Sequence, residues 1–184
     1  GAGTWGRGTW NSNADLSVSG QTLRIWSHDN FGEDLIINVR DSGLFYWDKT
    51  NGLSTRAVAL SSLSGANKVP TIAKQVIVSD RDRHVIAFGC DSETDPGTQD
   101  PLLIRFSDQE NVAEWQSLAT NTAGDLRIGS GSKIITAVET RQQILVFTDV
   151  SLHAMQFLGP PFTFGINSLS EGITIASPLS AIAV

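Results

Sequence analysis

The side chains that could do chemistry are few in this sequence and lie far apart. His28, His84 and His153 have no second histidine or cysteine at the spacing of a metal site, so structural roles are favoured for all three. Cys90 is the only cysteine; it has no base near it in the sequence and no partner for an internal disulfide. No nucleophile elbow of the Gly-x-Ser-x-Gly type and no phosphate-binding loop occurs. The sequence therefore predicts no catalytic residue, no metal site and no cofactor.

Two groups of acidic residues resemble known sites in their spacing. Residues 91–97 carry acids at alternate positions, like the start of a calcium-binding loop, but the seventh position is the glycine and the twelfth is Leu102. An exposed acidic loop is therefore the favoured interpretation. Asp29, Glu33 and Asp34 could supply a carboxylate pair for glycoside hydrolysis. Acids near strand ends and turns are common, so a non-catalytic role is favoured here too.

Three segments share a pattern in which two short apolar runs flank a turn. The paired runs are residues 35–39 with 44–47, 85–88 with 103–106, and 144–147 with 152–155. Asp41, Ser42 and Gly43 are typical of a tight hairpin turn, whereas the second copy has a longer link over residues 89–100. The copies recur at intervals of about 50 to 60 residues, which is typical of repeat architectures.

An additional strand is predicted before each hairpin, over residues 22–26, 74–79 and 133–139. Each copy then has three or four short antiparallel strands, which is the size of a propeller blade. The chain would supply about three to three and a half blades, too few to close a ring. We predict an all-β fold of antiparallel, propeller-like blades in an incomplete ring. A β-sandwich or an open sheet is the alternative.

The sequence also predicts one short helix and an extended arm. Ser107 and Glu110 form a capping-box pattern that predicts a helix over residues 108–118. Residues 1–20 are rich in glycine and tryptophan and are predicted to be an extended N-terminal arm or a flexible leader. The remaining residues, 21–184, are predicted to form a single partial propeller-like domain.

Candidate contact residues come from two aromatic segments. The arm contributes two tryptophans, and residues 159–165 combine two prolines with two phenylalanines. The second segment would either contact a partner or form a rigid loop that packs its own aromatic rings. The candidate interface residues are Trp5, Trp10, Pro160, Pro161, Phe162 and Phe164.

The composition favours a component of an assembly. Only 17% of residues are charged, which leaves much neutral surface for burial against partners. The net charge of −6 disfavours adhesive binding to nucleic acid. No signal-peptide pattern and no apolar run of about 20 residues occurs, so we expect assembly in a reducing cytoplasm and no membrane contact.

Several strings of the sequence resemble those of tail nozzle or tail-stabilisation (tail hub) proteins of short-tailed bacteriophages. The family's members are structural virion proteins, and some have a β-propeller domain. The matching strings, besides the N-terminal glycine–aromatic repeats, are WSHDNFGED at 26–34, DRDRHVIAFG at 80–89, DPLLIRFSDQ at 100–109, TNTAG at 120–124 and MQFLGPPFTFG at 155–165.

The resemblance implies a structural role in the virion tail, without catalysis. The partners would be copies of the chain in a six-fold ring, the tail adaptor and other tail proteins, with genomic DNA passing through the ring without specific binding. Assembly would take place in the host cytoplasm. The alternative function is a carbohydrate-binding or carbohydrate-cleaving β-propeller for host-surface glycans, suggested by five tryptophans and several acids.

Overall fold

The computed structural model describes residues 24–183, and these residues form almost only β-structure. The strands in this range make three antiparallel sheets of four strands each, and within every sheet the strands lie in chain order. Each sheet is therefore a meander, in which every strand pairs with the one before it. The predictions of an all-β fold and of repeated short antiparallel strands are confirmed. No helix in this part of the chain has the length and apolar character needed to cross a bilayer.

Sheet 1 contains two tight turns that the sequence marks clearly. Its strands are β1 (Trp26–Phe31), β2 (Asp34–Val39), β3 (Leu44–Trp47) and β4 (Val58–Ala59). Gly32 joins β1 to β2 with a φ of 71°, a conformation that favours glycine. Asp41 has a φ of 58° in the next turn, where Ser42 N donates to Val39 O at 2.9 Å. The hairpin predicted over residues 35–47 is confirmed.

Sheets 2 and 3 repeat this plan. Sheet 2 consists of β5 (Gln75–Val78), β6 (Val85–Phe88), β7 (Leu103–Phe106) and β8 (Gly124–Arg127), and sheet 3 of β9 (Ile134–Glu139), β10 (Ile144–Thr148), β11 (Ser151–Phe157) and β12 (Phe164–Glu171). The two remaining predicted hairpins and the strands predicted at 74–79 and 133–139 are confirmed. Of the strand predicted at 22–26, residues 22 and 23 lie outside the described residues, and Arg24 and Ile25 are not in a strand. The first described strand, β1, begins at Trp26, where the prediction ended. The polar residues of β1 have low intrinsic strand propensity, so propensity alone does not predict it.

The short helix predicted over residues 108–118 is wrong. The segment consists of turns and bends followed by backbone without regular secondary structure, apart from an isolated β-bridge between Glu114 and Asn67. Glu110 has a φ of 55°, which an α-helix does not accommodate. Trp115 is buried, and its backbone N–H donates to Asn67 O at 3.0 Å. Contacts with a loop far away in the sequence therefore replace the helical hydrogen bonds that the capping pattern predicted.

The three sheets are layered, with sheet 2 in the middle. Every residue of β6 and β7 is buried, because both faces of this sheet are covered. One core lies between sheets 1 and 2 and includes Ile36, Leu44, Val85, Leu103 and Trp115. The other core lies between sheets 2 and 3 and includes Phe88, Ile104, Val146, Met155 and Phe164. Sheets 1 and 3 therefore each have an inner face in a core and an outer face that is only partly buried.

Candidate interaction surface

The first strands of the three sheets lie beside one another, and we call β1, β5 and β9 together the strand junction. Ser27 Oγ accepts a hydrogen bond from Val76 N at 3.0 Å, and Asp29 Oδ2 accepts one from Val78 N at 2.9 Å. The partner numbers rise together, so β1 and β5 run in the same direction. Side chains of β1 thus satisfy backbone donors on the free edge of β5, which would otherwise be unpaired.

Gln75 makes the equivalent connection between β5 and β9. Its amide oxygen accepts hydrogen bonds from Ala137 N at 2.8 Å and Thr136 Oγ1 at 3.0 Å. Its amide nitrogen donates to Ala137 O at 2.7 Å. One side chain therefore satisfies the donor and the acceptor of a single backbone residue, as a neighbouring strand would.

One end of the strand junction is rich in carboxylates. Glu139 Oε1 accepts a hydrogen bond from Asp80 N at 3.3 Å. Burial raises the pKa of Glu139 to about 7, and the nearby carboxylates of Asp80, Asp29 and Asp82 add to the rise. Burial also raises the pKa of Asp29. The same end also carries Arg81 and Arg141, so it combines several carboxylates with two arginines. Full ionisation of the carboxylates is unfavourable there.

The other end of the junction carries a half-buried arginine. Arg40 Nη2 donates to Ile135 O, at the start of β9, at 3.1 Å. Burial lowers the pKa of the Arg40 guanidinium. Asp41, next to it, forms an ion pair with Lys74 at 2.8 Å. Charged side chains of both signs therefore lie at each end of the junction.

A groove of about 810 Å³ lies on the outer face of sheet 1. Along β2, Ile36 faces the core while Ile37 and Val39 point to the other side and are only half-buried. Trp26, on the neighbouring strand, is 55% exposed. The apolar residues of the groove are Ile25, Trp26, Ile37, Val39, Phe45 and Ala57. Arg24, Arg40, Asp41 and Ser42 also line the groove, and exposed apolar surface bordered by polar residues is typical of an interaction site.

The outer face of sheet 3 has a similar character. Along β10 the odd-numbered residues Leu145 and Phe147 are half-buried, while the alternate residues are buried in the core. Leu152 lies opposite Phe147 on β11 and is also half-buried. Val150, in the turn between the two strands, is exposed. Both ends of the layered structure therefore present apolar side chains.

The predicted interface residues have different locations. Trp5 and Trp10 lie outside the described residues. Pro160 and Pro161 are exposed in the turn before β12 and are joined by a cis peptide bond. Phe162 is 69% exposed. A contact role for the turn at 160–162 stays a prediction, and its side chains are accessible for it.

Phe164 does not belong to this surface. Its side chain is 5% exposed and fills the core between sheets 2 and 3. The ring centroid lies 4.9 Å from that of Phe106, 5.1 Å from that of His84 and 5.5 Å from that of Phe157, with edge-to-face geometry. The prediction of Phe164 as an interface residue is therefore wrong, because it anchors the first position of β12 in the core.

Two of the three histidines are buried beside hydroxyl groups. The side chain of His84 is fully buried, and its Nε2 lies 3.1 Å from Thr122 Oγ1. His153 Nε2 lies 2.8 Å from Ser151 Oγ and 3.1 Å from Ser130 Oγ. Burial lowers the pKa of both imidazoles, so both are neutral near pH 7. Structural roles stay a prediction, since His84 Nδ1 is buried with no hydrogen-bond partner among residues 24–183.

The three carboxylates considered for glycoside hydrolysis make local contacts. Glu33 forms an exposed ion pair with Lys49. Asp34 accepts hydrogen bonds from Lys49 N at 3.0 Å and from the Tyr46 hydroxyl. The third, Asp29, belongs to the strand junction. Each carboxylate therefore has partners within the fold that account for its position.

Neither the strand junction nor the groove was predicted from the sequence. Gln75 stands in an ordinary strand sequence, and no local pattern indicates that its amide pairs with a backbone residue far along the chain. For the groove, the alternation of residues along β2 is a signal in the sequence. Alternation places Ile37 and Val39 on the face opposite Ile36, so an outer face of β2 with large apolar side chains follows from the sequence.

Comparison with known proteins assigns the chain to no family. No family model matches it, and no curated protein is significantly similar to it. Its function is therefore inferred from its strands and surfaces, together with the resemblance of short strings described above.

Proposed function

We propose that this chain is a structural component of a bacteriophage tail, within a nozzle or hub ring around the DNA exit channel. It acts through subunit contacts and not through catalysis. The groove on the outer face of sheet 1 carries this proposal. Burying its apolar side chains against another protein surface would be favourable by about 25 cal/mol per Å² of apolar area removed from water.

The arrangement of strands supports propeller-like blades. Each sheet has four strands in chain order, and the first strands β1 and β5 lie side by side in the same direction. In a propeller the first strand of each blade lies nearest the central axis, and successive blades pack face to face. The three layered sheets fit three consecutive blades. An additional sheet against each outer face would continue the same packing.

The net charge suits a conduit for DNA. It is −6 for the chain, although the four carboxylates at one end of the strand junction lie beside Arg81 and Arg141. A protein with net negative charge repels the phosphate backbone, so DNA would pass without being held. Subunits of this kind would be assembled in the host cytoplasm. There they would contact copies of themselves, the tail adaptor and other tail proteins.

Self-association of the full 184-residue chain tests the subunit contacts. We expect sedimentation velocity to show association that increases with concentration, and negative-stain electron microscopy to show closed rings. Phe45→Lys places a charge in the groove and should weaken association by at least about tenfold. Leu53→Lys is the matched control, because Leu53 is 93% exposed and lies outside the groove.

Two results would contradict the proposal. One is a chain that remains monomeric at every concentration, or whose association does not respond to Phe45→Lys. The other concerns the virion itself. Antibodies against the chain should label the tails of purified particles, and particles that lack the protein altogether would rule out a tail component.

A further inference from the structure

A smaller cavity of about 200 Å³ lies beneath the loop at residues 91–100, and it shares no residue with the groove on sheet 1. Its walls combine apolar and charged groups. The apolar side chains are those of Ala66, Val69 and Pro96. The charged side chains are those of Lys68, Asp91, Glu93 and Arg105. None of these residues is used by the proposed tail function.

Arg105, on β7, is a buried cation, and two of its hydrogen-bond donors have no acceptor among the described residues. The residue is 3% exposed. Its Nη2 donates to Lys68 O at 2.6 Å and Trp115 O at 3.2 Å, and its Nη1 donates to Asp91 O at 3.3 Å. A guanidinium has five N–H donors, so the N–H of Nε and one N–H of Nη1 have no acceptor within residues 24–183.

The charge of Arg105 is also not balanced by a direct ion pair. Within the described part of the chain, no carboxylate oxygen lies within 4.0 Å of its guanidinium. Burying a cation without a paired anion is costly. The carbonyl oxygens around Arg105 offset part of this cost, and an anion in the cavity would offset more of it.

The two carboxylates of the cavity are already occupied. Asp91 is 1% exposed, so the first acid of the loop predicted to be exposed is buried instead. It accepts hydrogen bonds from Thr71 N at 3.0 Å, Gly97 N at 2.8 Å and the Thr71 hydroxyl. Glu93 accepts one from Ser117 N at 3.2 Å. Both carboxylates hold the surrounding loops in place, whereas two donors of Arg105 have no acceptor within residues 24–183 and could bind a ligand.

We propose that this cavity, the Arg105 pocket, binds one carboxylate group carried on a short aliphatic stem. Its volume is below the range of about 300 to 1,000 Å³ that is typical of pockets for larger ligands. The free donors of Arg105 would bind the carboxylate, and Ala66, Val69 and Pro96 would contact the stem. A phosphate would place about two negative charges beside Asp91 and Glu93, which disfavours it. The carboxylate comes either from a small free acid or from an acidic side chain of another protein.

Titration of the full chain with sodium propionate tests the Arg105 pocket. We expect a saturable change in the NMR signal of the Arg105 Nε–H group, with a dissociation constant of about 1 mM to 10 mM for so small a ligand. A blocked tripeptide with a central glutamate, and its glutamine counterpart, distinguish the two sources. Binding of propionate alone indicates a small free acid, and binding of the glutamate peptide but not its counterpart indicates a protein side chain.

Variants keep the test independent of the folding role of Arg105. Ala66→Phe fills the cavity and leaves Arg105 in place, so it should abolish binding. Lys68→Asn removes the second cation at a φ of 52°, which asparagine tolerates, and should weaken binding about threefold. Arg127→Gln is the control, because this exposed arginine pairs with Asp100 outside the pocket and its loss should not change binding.

Three results would overturn the proposal. The first is the absence of a saturable change in the NMR signal with propionate up to about 100 mM and with the glutamate peptide. The second is equal binding of the glutamate and glutamine peptides, which would show that the charge is not recognised. The third is unchanged binding by Ala66→Phe when its circular dichroism spectrum shows a native fold.

Discussion

Two phenylalanines separated by one residue occupy opposite environments. Phe162 lies in an exposed turn, whereas Phe164 begins β12 and packs against Phe106 and His84. Because both phenylalanines flank Thr163 in the same aromatic segment, the sequence predicts a contact role for both. The difference arises because Phe164 is on the strand face that points to sheet 2, and that face is decided by residues far away in the sequence.

Truncation of these two side chains should have very different effects. Phe164→Ala leaves a cavity in the core and should lower the free energy of unfolding by about 3 to 5 kcal/mol. Phe162→Ala removes an exposed ring and should change it by less than about 0.5 kcal/mol. Urea denaturation of the two variants measures both values. Similar losses in the two variants would show that Phe164 is not a core residue.

Glu139 should make stability depend on pH. Its pKa in the folded chain is about 7, above the ordinary value of 4.5, so the folded state binds more protons than the unfolded state between these pH values. The free energy of unfolding should therefore fall as pH rises through this window. We expect a fall of about 1 kcal/mol from this group, because solvent screens a half-buried carboxylate.

Glu139→Gln should remove this pH dependence. The glutamine keeps an acceptor for Asp80 N but carries no charge. Urea unfolding at about pH 5 and about pH 8 should show a smaller difference for the variant than for the unchanged chain. Glu110→Gln, at an exposed carboxylate 3.9 Å from Arg83, should retain the original difference. An unchanged pH profile in Glu139→Gln would assign the effect to another group.

At the scale of strands, local sequence carried most of the prediction. The hairpins of β2–β3, β6–β7 and β10–β11 were found because alternation and turn residues act over a few positions. The helix predicted at 108–118 does not form, because the hydrogen bond between Trp115 and Asn67 outweighs the capping pattern. Tertiary contacts of this kind leave no local signal, so the same limit applied to the strand junction.

Gln75 gives the strand junction a direct test. Gln75→Ala removes both partners of Ala137 and leaves its backbone N–H and C=O unpaired. The free energy of unfolding should fall by about 1 to 3 kcal/mol. Gln142→Ala, in the exposed turn after β9, should change it by less than about 0.5 kcal/mol. Equal stability of the two variants in urea would mean that the Gln75 contacts are replaced by water at no cost.

At the scale of the whole molecule, the layered sheets leave apolar surface at both ends. The low charge content predicted surface available for contacts, but it could not say which faces remain open. That depends on how the three sheets pack, which brings together residues from distant parts of the chain. The Arg105 pocket was missed for the same reason, since its walls come from three separate segments.

The open face of sheet 1 should be detectable with a hydrophobic fluorescent dye. We expect the native chain to enhance the fluorescence of the dye at concentrations where it is monomeric, because the groove offers apolar surface. Ile37→Lys should reduce this enhancement by at least about half, while Leu53→Lys should leave it unchanged. An equal response to both variants would locate the dye elsewhere.

The order of strands within each sheet also has a consequence for how the chain folds. Within residues 24–183, every strand pairs only with the strand before or after it in the chain, so each sheet can form from one continuous segment. Topologies with local contacts fold faster than those that need distant pairings. During synthesis the amino-terminal segments emerge first, so the hairpins of sheet 1 can close before β9 has left the ribosome. The core around Phe164 can be completed only when β12 has emerged.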